Sequence, residues 1–214
     1  MSADGAASII VIAGTNGAGK SSIAGEAFRA SDSFYFNPDE ETRRILSNRP
    51  GTTLDEANSR AWKLGKRLLE NAIRRRTHYT FETTLGGNTI TSLLQEAALA
   101  GLAVRMWYVG LNGPELHIAR VRARVAAGGH DIPEMKIRQR FDDSRNNLIR
   151  LLPVLTELQL FDNSAEGDPE RGEKPLPQLL LSMIDGTITE HCPVADVPRW
   201  AKPIVMAAFR TYSI

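Results

Sequence analysis

Apolar and polar positions along this chain fall into blocks whose period switches repeatedly between that of a strand and that of a helix. The first block, Ile9-Ile10-Val11-Ile12, is a continuous apolar run of the length of a buried strand, and the Ala-rich stretch Ser22 to Ala30 beyond the glycines reads as a helix. Ser33-Phe34-Tyr35-Phe36 reads as a short aromatic strand ending at Asn37-Pro38-Asp39, followed by a helix from Glu40 to Leu46. Thr53-Leu54-Asp55-Glu56 starts a capping box. Leu54, Ala57, Ala61, Leu64, Leu68 and Ala72 then recur at helical spacing, predicting a long helix up to Arg76 whose arginine-rich end offsets the helix dipole. Tyr79 to Thr84 predicts a third strand, Asn88 to Ala100 a helix and Ala103 to Val109 a fourth strand. From Glu115 to Ala126 a helix opened by Pro114 places Ile118, Val121 and Val125 on its buried face. Gly128-Gly129-His130-Asp131-Ile132-Pro133 breaks it, and a second helix carries Ile137, Phe141, Ser144, Leu148 and Leu151 on one stripe. Leu158 to Ser164 reads as the last core strand. Leu179 to Met183, Asp185-Gly186 and Thr187 to Thr189 form a closing hairpin, and Pro198-Arg199-Trp200 opens a terminal helix. Strands alternating with helices predict an α/β fold of three layers. Its sheet would be mostly parallel with about five strands, helices would cover both faces, and a helical lid would span about 113–150.

Composition narrows this picture in a few places. With 214 residues, 42% of them hydrophobic, the chain can bury one sizeable core, so one domain over 1–214 is expected. Basic residues number 26 and acidic ones 25, so no global field draws the protein to nucleic acid or to an anionic membrane, and neither is expected as a partner. Any basic site must be local. The single cysteine, Cys192, cannot form an internal disulfide, and the N-terminal apolar run is too short for a signal or a membrane span, which points to the cytoplasm. Glu166 to Pro177 is the one loop-like run rich in Gly, Pro and charge.

The chemistry concentrates at three strand ends. Gly14-Thr15-Asn16-Gly17-Ala18-Gly19-Lys20-Ser21 fits the phosphate-binding spacing G-x-x-x-x-G-K-[ST] between a strand and a helix. Such a loop curls its N–H groups around one anion, the following helix adds its positive dipole end, Lys20 reaches the β- and γ-phosphates, and the Ser21 hydroxyl holds Mg²⁺. Asp39, at the carboxyl end of the second strand, reads either as a helix cap or as the carboxylate that takes the proton of an acceptor hydroxyl. Glu82, Thr83 and Thr84 end the third strand. The strand is short and polar at Thr80, unlike that of an ATPase motor, and a carboxylate at the end of a core strand is costly unless it is paired or solvated in a cleft. Arg120, Arg122 and Arg124 on one helix and Arg138, Arg140 and Arg145 on the next, joined by a Gly-Gly hinge, suit either a solvated basic face or a lid whose guanidinium groups close on a triphosphate. His130 in the hinge reads as a turn residue, without the neighbours a zinc site needs.

Together GTNGAGKSS, FNPDEETRRIL, FETTLGG, PELHIARVRARVAAGGHDIPEMKIRQRFDDSRNNL and LFDNS resemble the zeta-toxin family, in particular its small bacterial members, over about Ile9 to Ser164. The resemblance implies a P-loop kinase that uses ATP and Mg²⁺ to phosphorylate the sugar 3′-hydroxyl of UDP-N-acetylglucosamine and is held in check by a small helical antitoxin. By position, Lys20 and Ser21 match the phosphate and metal residues, and Asp39 matches the catalytic base. Glu82 and Thr84 match the acid and hydroxyl that grip the sugar nucleotide. Arg124 or Arg120 resembles the first lid arginine, and Arg140 or Arg138 the second. Gly86 stands where the toxin pattern has a substrate-holding arginine, and the long C-terminal extension of the larger toxins is missing.

The expected catalytic set is therefore Lys20, Asp39, Arg124 and Arg140. ATP would be held by Gly14, Thr15, Asn16, Gly17, Ala18, Gly19, Lys20, Ser21, Ser22 and Arg120, the acceptor by Asn37, Glu82 and Thr84, and the metal by Ser21. Two other activities fit a P-loop chain: a regulatory ATPase that signals to a protein partner, and a polynucleotide kinase, which the neutral charge balance disfavours.

Overall fold

Strand β1 (Ser8–Ala13) is buried along nearly its whole length, as its unbroken apolar run requires of a strand covered on both faces. The computed structural model describes residues 7–21, 23, 35–165 and 176–213. The readings for Ser22 and for positions 24–30 of its helix, for positions 33 and 34, and for positions 166–175 lie outside the described residues.

Around β1 the sheet is built outwards in both directions. β2 (Tyr35–Phe36), β3 (Tyr79–Thr83), β4 (Ala103–Gly110) and β5 (Glu157–Asp162) are all parallel to it, in the spatial order β2-β3-β1-β4-β5. Among the described residues the sheet holds seven strands rather than about five, because the hairpin of β6 (Gln178–Ile184) and β7 (Thr187–His191) continues it antiparallel beyond β5. With β3 on one side of β1 and β4 on the other, the crevice at the carboxyl end of β1 is the topological switch point, where open α/β sheets bind ligands.

Helix α1 (Pro38–Asn48) and α2 (Leu54–Arg75) form a hairpin packed along each other. The Thr53–Glu56 capping box forms as its spacing predicts, and α2 buries Ala57, Ala61, Leu69 and Ala72. α3 (Asn88–Leu99) packs between α2 and α5 (Glu134–Leu151), and α6 (Lys202–Thr211) lies against α5. The main core joins Ile9 and Val11 of β1 to Leu148 and Leu151 of α5 and Ile204 and Val205 of α6. α4 (Pro114–Ala126) stands apart from it: its Ile118 and Val121 form a separate small cluster with Ile137, from the first turn of α5, and with Val125 and Ile132. One end of α5 is thus anchored in the main core while the other belongs to the α4–α5 pair.

Candidate active site

The chain leaves β1 through Gly14 at φ 142°, where a Cβ would sit 2.1 Å from the Val109 carbonyl oxygen, so this turn over β4 admits no side chain. Lys20 and Ser21 begin the helix that follows, and the Ile23 N–H bonds the Gly19 carbonyl at 3.3 Å. Asn163, just past β5, clamps the loop from the other side: its Nδ2 donates to the Ala18 carbonyl at 2.9 Å and its backbone N–H to Gly110 at 3.0 Å.

Glu82 is the hub beneath the loop. The β1–β3 register sets it beside Ile12, two residues before Gly14, and only 8% of it is exposed. Its carboxylate accepts from Ser21 Oγ at 3.0 Å, Tyr35 Oη at 2.6 Å and Asn37 Nδ2 at 2.8 Å, and it lies 3.6 Å from Lys20 Nζ. Lys20, equally buried, donates to the Gly14 carbonyl at 2.7 Å. Two buried charges would be costly alone; here each is paired and hydrogen-bonded, which keeps the desolvation penalty in check.

Asn37 does two things at once. Its Nδ2 faces Glu82 and reaches Ser21 Oγ at 3.4 Å, while its Oδ1 caps α1 by accepting from the N–H groups of Asp39 at 2.8 Å and Glu40 at 3.2 Å. The cap of α1 is therefore Asn37, and the Asp39 carboxylate is left to meet Arg124 Nη1 at 3.5 Å. That pair is more than a third exposed on both sides and adds little stability; what matters is that it brings α4 against the start of α1.

The arginines divide into two groups. Arg140 Nη1 donates to Asn16 Oδ1 at 2.7 Å, and the Arg140 carbonyl accepts from Thr15 Oγ1 at 3.3 Å, so α5 is tied to the phosphate loop through one residue. Burial lowers the Arg140 pKa and the charge of Asp39 opposes that. A Cβ at Gly86 would lie 2.9 Å from Arg140 Cγ, so the stem of Arg140 crosses the place where a longer side chain at position 86 would start. Arg120 reaches the Ala165 carbonyl at 3.4 Å, beyond β5. Arg138 is paired with Glu115 at 2.8 Å and Arg122 with Glu134, both pairs exposed. Arg145 lies over the ring of Phe141.

His117 and Trp200 carried no functional reading in the sequence. His117 on α4 is buried, and since the Asn16 carbonyl can only accept, its Nδ1 carries the proton and donates at 2.8 Å. Burial holds its pKa down at about 4, against the pull of that bond and with the positive charges of Lys20, Arg120 and Arg145 adding to the depression. Its position one helical turn before Val121, on the same stripe, was the available signal. Trp200 lies over Gly110, where a Cβ would come within 2.3 Å of the ring, and its Nε1 donates to Asp162 at 2.8 Å. The C-terminal segment thus reaches the carboxyl end of β5. Thr84 is half-buried past β3, followed by Leu85 at φ 54°, whose N–H bonds Thr83 Oγ1 and whose carbonyl accepts from Asn147. Among the described residues His130 Nε2, in the Gly-Gly hinge, is the buried side-chain nitrogen without a hydrogen-bond partner.

A phosphate-binding loop at the centre of a parallel sheet in the order β2-β3-β1-β4-β5 defines the P-loop NTPase fold in its kinase-like form. The family model AAA_33, described as an AAA domain, matches residues 9–146, and the chain belongs to that family. A protein of Haemophilus influenzae (strain ATCC 51907 / DSM 11121 / KW20 / Rd), described as uncharacterized, is 31% identical over 137 residues, 62% of this chain and 91% of its own length. Among solved structures, AvrRxo1-ORF1:-ORF2 with ATP is similar at a TM-score of 0.66 and 17% identity over 99% of this chain, which spans 66% of that chain, just under two thirds. The PezAT chromosomal toxin–antitoxin system of Streptococcus pneumoniae is similar at 0.57 and 15% identity, over 78% of this chain and 72% of that one. At these identities the likeness is one of fold. No helix among the described residues is long and apolar enough to cross a membrane.

Proposed function

We propose that this chain is an ATP- and Mg²⁺-dependent kinase of the zeta-toxin type, passing a γ-phosphoryl group to a hydroxyl of a sugar nucleotide such as UDP-N-acetylglucosamine or of a similar metabolite. One observation carries the reading: the Asn37 side chain bonds both the Asp39 backbone N–H and the Ser21 hydroxyl of the phosphate loop, while Arg124 meets the Asp39 carboxylate and Arg140 is bonded to the loop. The neighbours' descriptions support it, one a complex with ATP and the other a toxin–antitoxin system.

In this reading the loop from Gly14 to Ser22 and Lys20 fix the triphosphate, with Arg120 on its flank. The Ser21 hydroxyl beside the Glu82 carboxylate fits a magnesium ion, which takes one or two protein oxygens and completes its shell from phosphates and water. Bound there, it would neutralise charge on the phosphates. Asp39 orients the acceptor hydroxyl and takes its proton, Asn37, Glu82 and Thr84 shape the acceptor side, and Arg124 and Arg140 stabilise the loose transition state. Residues 113–150 serve as the lid of a single domain over 1–214, since α4 and the start of α5 pack on each other in their own cluster. A small helical antitoxin is the proposed partner.

Incubating the protein with labelled ATP, Mg²⁺ and a panel of UDP-sugars and other metabolites tests this directly. A metabolite gaining one phosphate is expected. Release of ADP and inorganic phosphate with every metabolite unchanged would refute it and favour the regulatory ATPase.

A further inference from the structure

Charge is not spread evenly over this chain. Residues 38–76 carry ten basic and six acidic side chains, in a protein whose net charge is +1. Arg44, Arg49, Arg60 and Arg67 converge with Glu41, Ile45, Asn48 and Leu64 on a cavity of about 350 Å³ between α1 and α2. Arg44 is held there by a two-pronged bond to Glu41, both contacts at 2.7 Å, whereas among the described residues the side chains of Arg49, Arg60 and Arg67 make no hydrogen bond or ion pair. Arg60 and Arg67 also border a second, shallower concavity of about 460 Å³ with Lys63, Lys66 and Trp62, a residue 47% exposed.

We infer that the α1–α2 hairpin holds a second ligand site, separate from the phosphate loop, that takes a mononucleotide. Three guanidinium groups without a carboxylate partner among the described residues line one concavity and attract an anion to it; the planar donor fork of arginine suits phosphate oxygens in particular. Trp62 stands two residues after Arg60, about 200° around α2, and borders the shallower concavity from its other side, where its ring offers what inorganic phosphate has no use for, a flat face on which a base can stack. Each of the two volumes, about 350 and about 460 Å³, lies within the range of small-molecule pockets and is larger than one phosphate needs. The site is not the acceptor side of the cleft already described. Glu41, which pins Arg44 at the cavity, lies two residues from Asp39 and so about 200° around α1 from it at 100° per residue. The inference goes beyond the proposed kinase reading and holds whichever acceptor that activity has.

The test uses the full chain with its phosphate loop saturated by ADP and Mg²⁺, titrated with UMP, with inorganic pyrophosphate and with a 5′-phosphorylated oligothymidylate, reading tryptophan fluorescence and heat. UMP is expected to quench fluorescence saturably and to bind more tightly than pyrophosphate. The quench should vanish in Trp62→Phe, and the double variant Arg60→Ala/Arg67→Ala should weaken UMP at least tenfold while ADP affinity stays within twofold. Unchanged UMP affinity in the double variant would overturn the site, as would a quench that persists in Trp62→Phe. Pyrophosphate binding as tightly as UMP, or binding of the oligonucleotide without UMP, would overturn the mononucleotide assignment.

Discussion

His117 makes a quantitative prediction possible because its environment is unambiguous: a buried imidazole, neutral, donating from Nδ1 to the phosphate-loop carbonyl of Asn16. Its pKa lies at about 4 in the folded protein, against an ordinary value of 6.5, and the cause is burial. The depressed value means that the unfolded chain takes up the proton first as pH falls. The neutral imidazole's contribution is thus complete above pH 6.5, declines between about 6.5 and 4, and is flat below. Linkage over that interval amounts to about 2 kcal/mol by pH 5 and about 3 kcal/mol once pH 4 is passed. His117→Gln keeps a donor for Asn16 without the titration. Urea unfolding of parent and variant at intervals from pH 7.5 to 4 should give curves that diverge with this sign and size, the parent losing more stability on the acid side. Parallel pH profiles would refute the buried, neutral assignment and with it the clamp of α4 on the loop.

Other expectations concern the loop's surroundings. Glu82→Gln leaves acceptors for Ser21 and Asn37 but removes the charge beside the proposed magnesium position, so the Mg²⁺ concentration for half-maximal turnover should rise about 10- to 100-fold; an unchanged Mg²⁺ titration would count against that role. Gly86→Ala forces Arg140 to tilt, since the new Cβ would sit 2.9 Å from its Cγ. Steady-state kinetics should show kcat lower by about 10- to 100-fold with the fold intact by circular dichroism, the scale of a small misplacement near the reacting groups, and parent-like kcat would show that Arg140 need not be held there.

What was legible in the sequence was what local spacing alone determines. The phosphate loop, the Thr53 capping box, the α4 and α5 stripes and the closing hairpin each follow from residues within a few turns of one another. What was not legible depends on pairing across the fold. Glu82 is set under the loop by a strand register between segments 70 residues apart in sequence, Ile12 against Glu82. Nothing near Asp39 distinguishes a cap from a free carboxylate until Asn37 is seen to take the cap. Arg120, Arg122 and Arg124 are equivalent in pattern, and only the way α4 leans on the loop separates Arg124, against Asp39, from Arg122, against Glu134. Asn163 falls in the LFDNS block, but its bond to the Ala18 carbonyl, like the reach of Trp200 to Asp162 from the last quarter of the chain, is set only by the fold.

The account turns on Asp39 as the group that receives the acceptor's proton across from the phosphate loop. Because Asn37 supplies the α1 cap, Asp39→Asn should leave the fold and ATP affinity close to those of the parent. Measured with whichever metabolite the screen identifies, phosphoryl transfer by this variant should fall by about 10² or more, the scale of a lost general base. Transfer at the parent's rate, with ATP bound normally, would contradict the mechanism.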